Sequence, residues 1–216
     1  MSDDDRSREL LDLIRTRLTA EGFEPGRSLD DDAIREIVDD AIQAPSSFNI
    51  QHWRFIAVRK SEDRERLAAA SYGQRQVADC AVTFIVLGDL RGIEKLPEAM
   101  RRAVEAGALS ERKAEGWIRS AEAIYADQQL ARDEAIRSCS LAVMNLMHSA
   151  EARGMGTGVL IGFDPAAVKR EFGIPERYLP VMLVTVGWPV RVGQQRKPRF
   201  SVDEVLCFDR CGFDPD

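Results

Sequence analysis

Hydrophobic residues recur at two different periods along the chain, and these periods predict a mixture of helices and strands. Helical spacing is clearest over residues 29–42 and over residues 134–153, where apolar side chains wrap most of the circumference. The second segment is therefore expected to be a central, buried helix. An amino-terminal helix is expected to bury one side of its surface. That side is formed by Leu10, Leu11, Leu13 and Ile14.

Three short and nearly continuous apolar runs predict strands, over residues 53–58, 82–87 and 181–186. The middle run is typical of a strand that is covered on both faces. Residues 92–130 have a different texture, because they are charged, rich in alanine and broken by Gly107 and Gly116. We interpret them as a helical excursion from the core that could cover a pocket, although long insertions generally have this composition.

A polar loop joins the second helix to the first strand. The residue before a proline is disfavoured in helices, so Ala44 is expected to end the helix that Ser28 and Asp31 begin as a capping box. The loop then places hydroxyls and amides together at Ser46, Ser47, Asn49 and Gln51. Such groups could hydrogen-bond the edge of a polar, planar ligand. A turn that simply favours serine and asparagine explains them equally well.

A glycine-rich segment follows the long helix, and we expect residues 154–158 to form a flexible turn. It neither follows a strand nor has the spacing of a dinucleotide-binding fingerprint, so we reject that interpretation. Asp164, Pro165 and Gly173 predict the cap, first position and end of a short helix. Between the two, Gly162 would allow a ligand to approach the main chain closely.

Composition and charge limit the function classes. A chain of 216 residues suits a single domain, and its net charge of −6 with no basic face argues against a nucleic-acid partner. No apolar run has the roughly 20 residues that a membrane span needs. The amino terminus is acidic, unlike a secretory signal, and the four cysteines suggest neither a disulfide framework nor a metal site. We therefore expect a cytoplasmic protein.

Two separate basic segments are candidate phosphate clamps. Arg17 with Thr19 pairs a guanidinium with a hydroxyl donor, and the carboxy-terminal tail carries Arg196, Lys197 and Arg199. A solvated charge run is the alternative for each. Gln74, next to a glycine, is a further candidate ligand contact, for which an exposed glutamine is the simpler explanation.

The order of these blocks resembles the nitroreductase family of FMN-dependent NAD(P)H oxidoreductases. The family's opening motif is matched in register by Ile14, Arg17, Thr19 and Phe23. The loop of residues 44–51 is similar to the family's most recognisable stretch. Residues 154–164 look like its flavin-edge loop, and residues 197–205 resemble its carboxy-terminal phosphate clamp. The likeness covers most of the chain outside residues 92–130, where family members vary.

The resemblance implies an α+β fold over residues 1–216 with a central mixed β-sheet surrounded by helices. It also implies an intertwined homodimer with FMN at the subunit interface. NAD(P)H would reduce the flavin in a ping-pong cycle, and a small electron-poor acceptor, such as a nitroaromatic or a quinone, would oxidise it. No catalytic side chain or metal is then required, because the chemistry lies on FMN.

The family likeness also carries site assignments onto this sequence. Arg17, Thr19, Lys197 and Arg199 would bind the phosphate, while Ser46, Ser47 and Asn49 would hold the ribityl chain and ring. The main-chain N–H groups of Ile161 and Gly162 would face the flavin edge. Gln74, although not part of a family motif, is kept as a further cofactor contact.

Three positions depart from the family pattern. Leu18 and Glu21 stand where the family has basic residues, and His52 replaces a proline, where it could alter the loop or add a donor near the ring. Leu18 and Glu21 leave open a flavin-binding protein with little turnover. Residues 92–130 leave open a dedicated flavin reaction, such as dehalogenation or flavin fragmentation, because the helices of this segment distinguish such branches of the family.

Overall fold

The structure is a computed structural model, and it describes residues 3–190 and 194–213. The chain contains both helices and strands, as the two periods predict. The helices are α1 (Asp3–Thr16), α2 (Asp31–Ala41), α3 (Ser61–Ala69), α4 (Arg75–Asp79), α5 (Leu96–Glu105), α6 (Glu111–Tyr125), α7 (Gln128–Ala152), α8 (Pro165–Phe172) and α9 (Val202–Val205). Short 3-10 helices cover Ser47–Asn49 and Gly92–Lys95. Among the described residues, no helix is long and apolar enough to cross a membrane.

The strands are β1 (Trp53–Val58), β2 (Val82–Asp89), β3 (Gly156–Leu160) and β4 (Tyr178–Gly187). They form one sheet in the order β1-β2-β4-β3, with every neighbouring pair antiparallel. The predicted mixed sheet is therefore wrong. Val58 pairs with Thr83, so the connection through α3 and α4 returns to the same end of the sheet and reverses the strand direction. Within the described part of the chain, the one parallel contact is an isolated bridge between Thr19 and Thr157.

Helices cover both faces of the sheet. Alternate residues of β2 point to opposite sides, as strand geometry requires. Phe84 and Val86 belong to a core cluster shared with α2 and α7, whereas Ile85 and Leu87 belong to a second cluster with α3, α4 and α8. The prediction that this strand is covered on both faces is confirmed.

Helix α7 forms the centre of the first cluster. Its fully buried residues are Ala135, Cys139, Ala142, Leu146 and Ala150. The prediction of a central helix is confirmed. The expectation for α1 is wrong, because Leu10, Leu11 and Ile14 are 45–56% exposed in the single chain. Helix α1 packs against α7, but it leaves these side chains about half exposed.

The helical excursion has a small apolar core of its own. Leu96, Met100, Ala121 and Tyr125 are buried in it together with Ile50 from the polar loop. Edge-on packing of Phe48 against Trp117, with ring centroids 6.1 Å apart, adds a second contact. The excursion and the polar loop are therefore packed as one unit.

The helix ends and the turn that were predicted from local sequence signals are only partly confirmed. Asp164 caps α8 by accepting from the Ala166 and Ala167 amides, and Gly173 ends it with φ 63°, as predicted. Helix α2, in contrast, is capped by Asp30, which accepts from the Ala33 amide, and not by Ser28. The predicted turn at residues 154–158 is largely strand β3.

Candidate functional site

The two predicted phosphate clamps meet at one small cavity of about 130 Å³ beyond the end of α1. The lining is mainly cationic and polar. It consists of Arg17, Leu18, Thr19, Glu21, Gln194, Gln195, Arg196, Lys197 and Arg199. Residues almost 180 positions apart in the sequence are thus brought together.

Backbone contacts hold both sides of this cavity. The segment after α1 is fixed to β3, because Thr19 bridges Thr157 and the Ala20 amide donates to the Thr157 carbonyl at 2.8 Å. The tail is fixed to that segment in turn. Arg196 Nη1 donates to the carbonyls of Arg15 and Arg17 at 2.7 and 2.8 Å, and Gln194 Nε2 donates to the Thr19 carbonyl.

Arg17 is the half-buried charge of the cavity. Its Nη1 atom is buried and has no hydrogen-bond partner among the described residues. Burial lowers the pKa of Arg17, and the positive charges of Arg196 and Arg199 lower it further, although Glu151 opposes them. An arginine nevertheless keeps its charge. An anion in this cavity would accept a hydrogen bond from the buried N–H group and offset the positive charge of the neighbouring cations. These residues fit a phosphate group.

The acid in this cavity is Glu21, which lies 3.9 Å from the ammonium of Lys197. Both side chains are more than 70% exposed, so their attraction is weak. Leu18 lines the same cavity without contributing charge. Leu18 and Glu21, the two departures from the family motif, therefore both line this cavity and lower the positive charge that an anion would meet there.

A second group of predicted residues continues from the cavity along β3. Gln74 Nε2 donates to the Gly162 carbonyl at 2.6 Å, and the Ile161 side chain beside it is 81% exposed. Gly158 lies between this group and the cavity, where an added Cβ would come within 3.1 Å of the Ala20 carbonyl oxygen and 2.7 Å of Thr185 Oγ1. The cavity around Arg17, Gly158, and the group of Gln74, Ile161 and Gly162 therefore follow one another as a continuous strip along the edge strand β3.

The polar loop that carries Ser46, Ser47 and Asn49 is sharply folded. Phe48, Asn49 and Gln51 all have left-handed backbone angles, with φ between 50° and 56°. This conformation is unusual for non-glycine residues. Ser46 Oγ supports it by accepting from the Gln51 amide at 3.0 Å, and the Asn49 side-chain oxygen accepts from Gln51 Nε2 at 3.1 Å. The hydroxyl hydrogen of Ser46 and the amide hydrogens of Asn49 are left as donors.

This loop does not lie next to the cavity of the same chain. Thr157 pairs with Val186, and Val186 with Val82, at one end of the sheet, whereas Trp53 pairs with Gly88 at the other. The two rows are six residue steps apart along β2, which is roughly 20 Å, and β1 and β3 are opposite edges of the sheet, roughly 14 Å apart. The predicted site residues therefore form two separate groups in one chain.

His52 has both ring nitrogens engaged inside the protein. The side chain is fully buried, with Nδ1 2.8 Å from the Asp89 carbonyl oxygen and Nε2 3.2 Å from the Tyr125 hydroxyl. The suggestion that it adds a donor near the ring is therefore not supported directly. Any effect on a ligand has to pass through its neighbours.

Sequence reasoning missed two residues that the structure brings to these groups and gave a third only a general role. Arg196 was named in the basic triplet of the candidate clamp but was not carried over from the family likeness, and it both lines the cavity and donates to the Arg17 carbonyl. Glu151 acts electrostatically on Arg17 from α7, and Tyr125 of α6 packs in the same cluster as Ile50 of the polar loop and contacts His52 Nε2. Only Arg196 had a signal in the sequence, since the other two contacts depend on how helices pack.

Comparison with known proteins gives a consistent result. The Nitroreductase family model matches residues 14–188. YodC of Bacillus subtilis, provisionally named an NAD(P)H nitroreductase, is 30% identical over 185 residues, which cover 86% of this chain and 92% of YodC. The crystal structure of the provisionally assigned nitroreductase YdfN of Bacillus subtilis superposes with a TM-score of 0.88 at 30% identity, covering 94% of this chain and 99% of YdfN.

A third relative was crystallised with a ligand. The provisionally assigned nitroreductase of Exiguobacterium sibiricum, in complex with FMN, has a TM-score of 0.85 at 25% identity. The match covers 92% of this chain and 96% of that one.

Proposed function

Because the chain belongs to the nitroreductase family, we propose that it is an FMN-dependent oxidoreductase that passes a hydride from NAD(P)H to a small electron-poor acceptor. Nitroaromatics and quinones are the acceptor classes we propose, in a ping-pong cycle. The single observation that carries the proposal is the buried, unpartnered Arg17 Nη1 atom inside a cationic cavity. Complex formation with FMN by the Exiguobacterium relative supports the same cofactor.

The residues of the cavity would hold the phosphate end of FMN. Arg17, Lys197 and Arg199 supply charge, and Thr19 supplies a hydroxyl, while Arg196 keeps the tail in place. Charge-assisted hydrogen bonds of this kind are about twice as strong as neutral ones. Gln74, Ile161 and Gly162 lie further along the strip, where they would meet the flavin edge.

Bound FMN would supply the hydride chemistry, since it accepts a hydride from a reduced nicotinamide and transfers it onward. The role of the protein is then to bind, orient and tune. Main-chain N–H groups at Ile161 and Gly162 would favour negative charge on the ring. Ser46, Ser47 and Asn49 would hold the ribityl chain and ring from the other side.

That second contribution requires another copy of the chain, because the loop and the cavity are separated within one copy. We therefore propose a homodimer in which each site combines the cavity of one protomer with the loop of its partner. Apolar side chains left exposed on α1 and α7 are available to form the interface. They include Leu10, Leu11, Ile14, Leu141 and Met144.

The tail offers a second contact surface for this dimer. A groove of about 960 Å³ runs between α2 and the free edge of β1, and its floor includes Ile34, Val38 and Phe55. Along the tail, Phe200, Val202, Val205 and Phe208 are 60–82% exposed. A partner's tail in this groove would bury both surfaces, consistent with an intertwined dimer.

The proposal is tested by the absorption spectrum of the purified protein with FMN, before and after anaerobic addition of NADH or NADPH. We expect a visible flavin band that bleaches on reduction and returns when a nitroaromatic or a quinone is added. A protein that does not retain FMN would contradict the proposal. A protein that bleaches but is reoxidised by neither acceptor class would contradict the assignment of acceptor.

A further inference from the structure

A buried carboxylate lies at the point where β2 leads into the helical excursion. Asp89 is fully buried, and it accepts from Arg177 Nε at 2.6 Å and from Arg177 Nη2 at 2.9 Å. The Arg91 amide donates to its Oδ1 atom at 3.1 Å, and Arg54 Nη2 donates to its Oδ2 atom at 3.4 Å. Burial raises the pKa of Asp89, but these hydrogen bonds and the charges of Arg177 and Arg54 outweigh burial and lower it. Asp89 is therefore charged at neutral pH and holds both arginines.

Arg54 connects this carboxylate to the polar loop. Its Nη1 atom donates to the carbonyls of Gln51 and Trp53 at 2.9 and 2.6 Å, while its Nη2 atom faces Asp89. Hydrogen bonds from a charged donor are about twice as strong as neutral ones, and this side chain is only 31% exposed. The guanidinium therefore fixes the direction of the Gln51 carbonyl, at the end of the loop.

Gln51 in turn holds two of the candidate ligand contacts. Its amide donates to Ser46 Oγ at 3.0 Å, and its Nε2 atom donates to Asn49 Oδ1 at 3.1 Å. A weaker 3.5 Å contact joins the same Nε2 atom to the Asn49 carbonyl. Because a carbonyl only accepts, this contact fixes which end of the Gln51 amide faces Asn49. The Asn49 Nδ2 hydrogens and the Ser46 hydroxyl hydrogen are consequently the groups that the loop offers to a ligand.

We propose that Arg54, held by Asp89, is a positioning residue that keeps Ser46 and Asn49 directed at the ligand as hydrogen-bond donors. Each step of the path, from Asp89 through Arg54 and Gln51 to the two donors, is a hydrogen bond between atoms of the structure. The backbone of Gln51 is left-handed, with φ 55°, and such strain persists only where neighbouring contacts enforce it. Without Arg54, the loop therefore populates other conformations.

The inference rests on the proposed function, because it takes FMN as the ligand of the loop. Donors that are already ordered cost less entropy on binding than donors that the ligand has to order. One hydrogen bond to a charged group corresponds to a change of about tenfold in an equilibrium constant. We therefore expect Arg54→Met, which keeps an apolar stem but removes the guanidinium, to weaken FMN binding about tenfold.

The effect on the loop is tested first without any cofactor, by hydrogen exchange of the full chain. The amides of Asn49 and Ile50 donate to the carbonyls of Ser46 and Ser47, and that of Gln51 to Ser46 Oγ, so all three report on loop opening. In Arg54→Met we expect these amides to exchange about tenfold faster, with the exchange of β2 unchanged. Unchanged exchange in the loop would overturn the proposal.

Arg59→Met is the matched control. Arg59 follows β1 directly, lines the same groove as Arg54 and pairs with Asp31 outside the polar loop. We expect it to leave both loop exchange and FMN affinity as in the parent. Equal effects of Arg54→Met and Arg59→Met would overturn the proposal, since they would assign the change to the groove or to the lost charge.

The action through the two donors is tested by a double-mutant cycle with FMN. Arg54→Met should weaken binding about tenfold in the parent but less than about threefold in a Ser46→Ala, Asn49→Ala background, where the donors it positions are absent. Equal losses in the two backgrounds would overturn the proposal, because a general structural role is independent of these donors. If the parent binds no FMN, the proposed function fails, and hydrogen exchange still decides whether Arg54 orders the loop.

Discussion

At the scale of single residues, Arg17 is the side chain on which the proposed phosphate site would most depend. It combines partial burial, an unpartnered Nη1 atom and two cationic neighbours, Arg196 and Arg199. These features are costly in an empty cavity and favourable around an anion. The burial and surroundings of Arg17 are therefore stronger evidence for a role in anion binding than the sequence motif from which that role was first predicted.

Arg17→Ala should weaken FMN binding roughly ten- to a hundredfold, because hydrogen bonds to charged groups contribute about 1.5–3 kcal/mol. The dissociation constant is measured by quenching of flavin fluorescence. Arg15→Ala is the matched control, since Arg15 lies two positions earlier, is exposed and does not line the cavity. Equal effects of the two substitutions would show that general charge, and not the cavity, attracts the cofactor.

Glu21→Gln should have the opposite effect. Removing one negative charge from the cavity should tighten FMN binding about two- to fivefold at low salt, and less at high salt, because exposed charges are screened. Glu24→Gln is a suitable control, because Glu24 is paired with Arg27 and lies outside the lining. An unchanged affinity in Glu21→Gln would mean that Glu21 turns away from the bound phosphate.

At the scale of elements, the sequence predicted correctly the helix ends that depend on neighbouring residues. It missed the elements that depend on contacts with residues distant in the sequence. The cap and end of α8 were predicted correctly because Asp164, Pro165 and Gly173 act within a few residues of one another. The strand β3 was taken for a turn because Gly156 and Gly158 look flexible. They are needed instead because Pro189, Thr185 and Ala20 approach so closely that a side chain would clash.

The site shows the same division. Its members were predicted from motifs, and the meeting of Arg17 with the tail was implied by the family likeness. No motif shows the separation of the polar loop from that cavity, since it depends on the strand order. Only the family likeness implied it, by placing FMN at a subunit interface. The contact of Tyr125 with His52 was missed because it depends on how the helical excursion packs.

The exposed face of α1 and α7 leads to a prediction about assembly. Leu141 is 48% exposed on the helix that forms the core, which makes it a candidate interface residue. Leu141→Glu should shift the protein from dimer to monomer in sedimentation experiments, with helix content unchanged and FMN retention lost. Ile124→Glu, on an apolar position of α6 with 44% exposure, should remain dimeric. A Leu141→Glu protein that stays dimeric would exclude this face from the interface.

At the scale of the whole molecule, the distance between the two groups of site residues is the main constraint. The loop before β1 and the cavity beside β3 lie at opposite ends and opposite edges of one sheet. No rearrangement of side chains can close a gap of roughly 20 Å along the strands. If both groups contact one FMN molecule, each must come from a different protomer, and a two-fold symmetric dimer then holds two equivalent sites.

This arrangement predicts that two defective chains can restore each other. One chain carries Arg17→Ala with Lys197→Ala, and the other carries Ser46→Ala with Asn49→Ala. In a heterodimer purified through two different affinity tags, one site combines both intact groups and the other combines both altered ones. We therefore expect one tightly bound FMN per heterodimer and weak binding by either homodimer. If each site were formed within a single chain, both sites of the heterodimer would stay defective, and the FMN content would equal that of the homodimers.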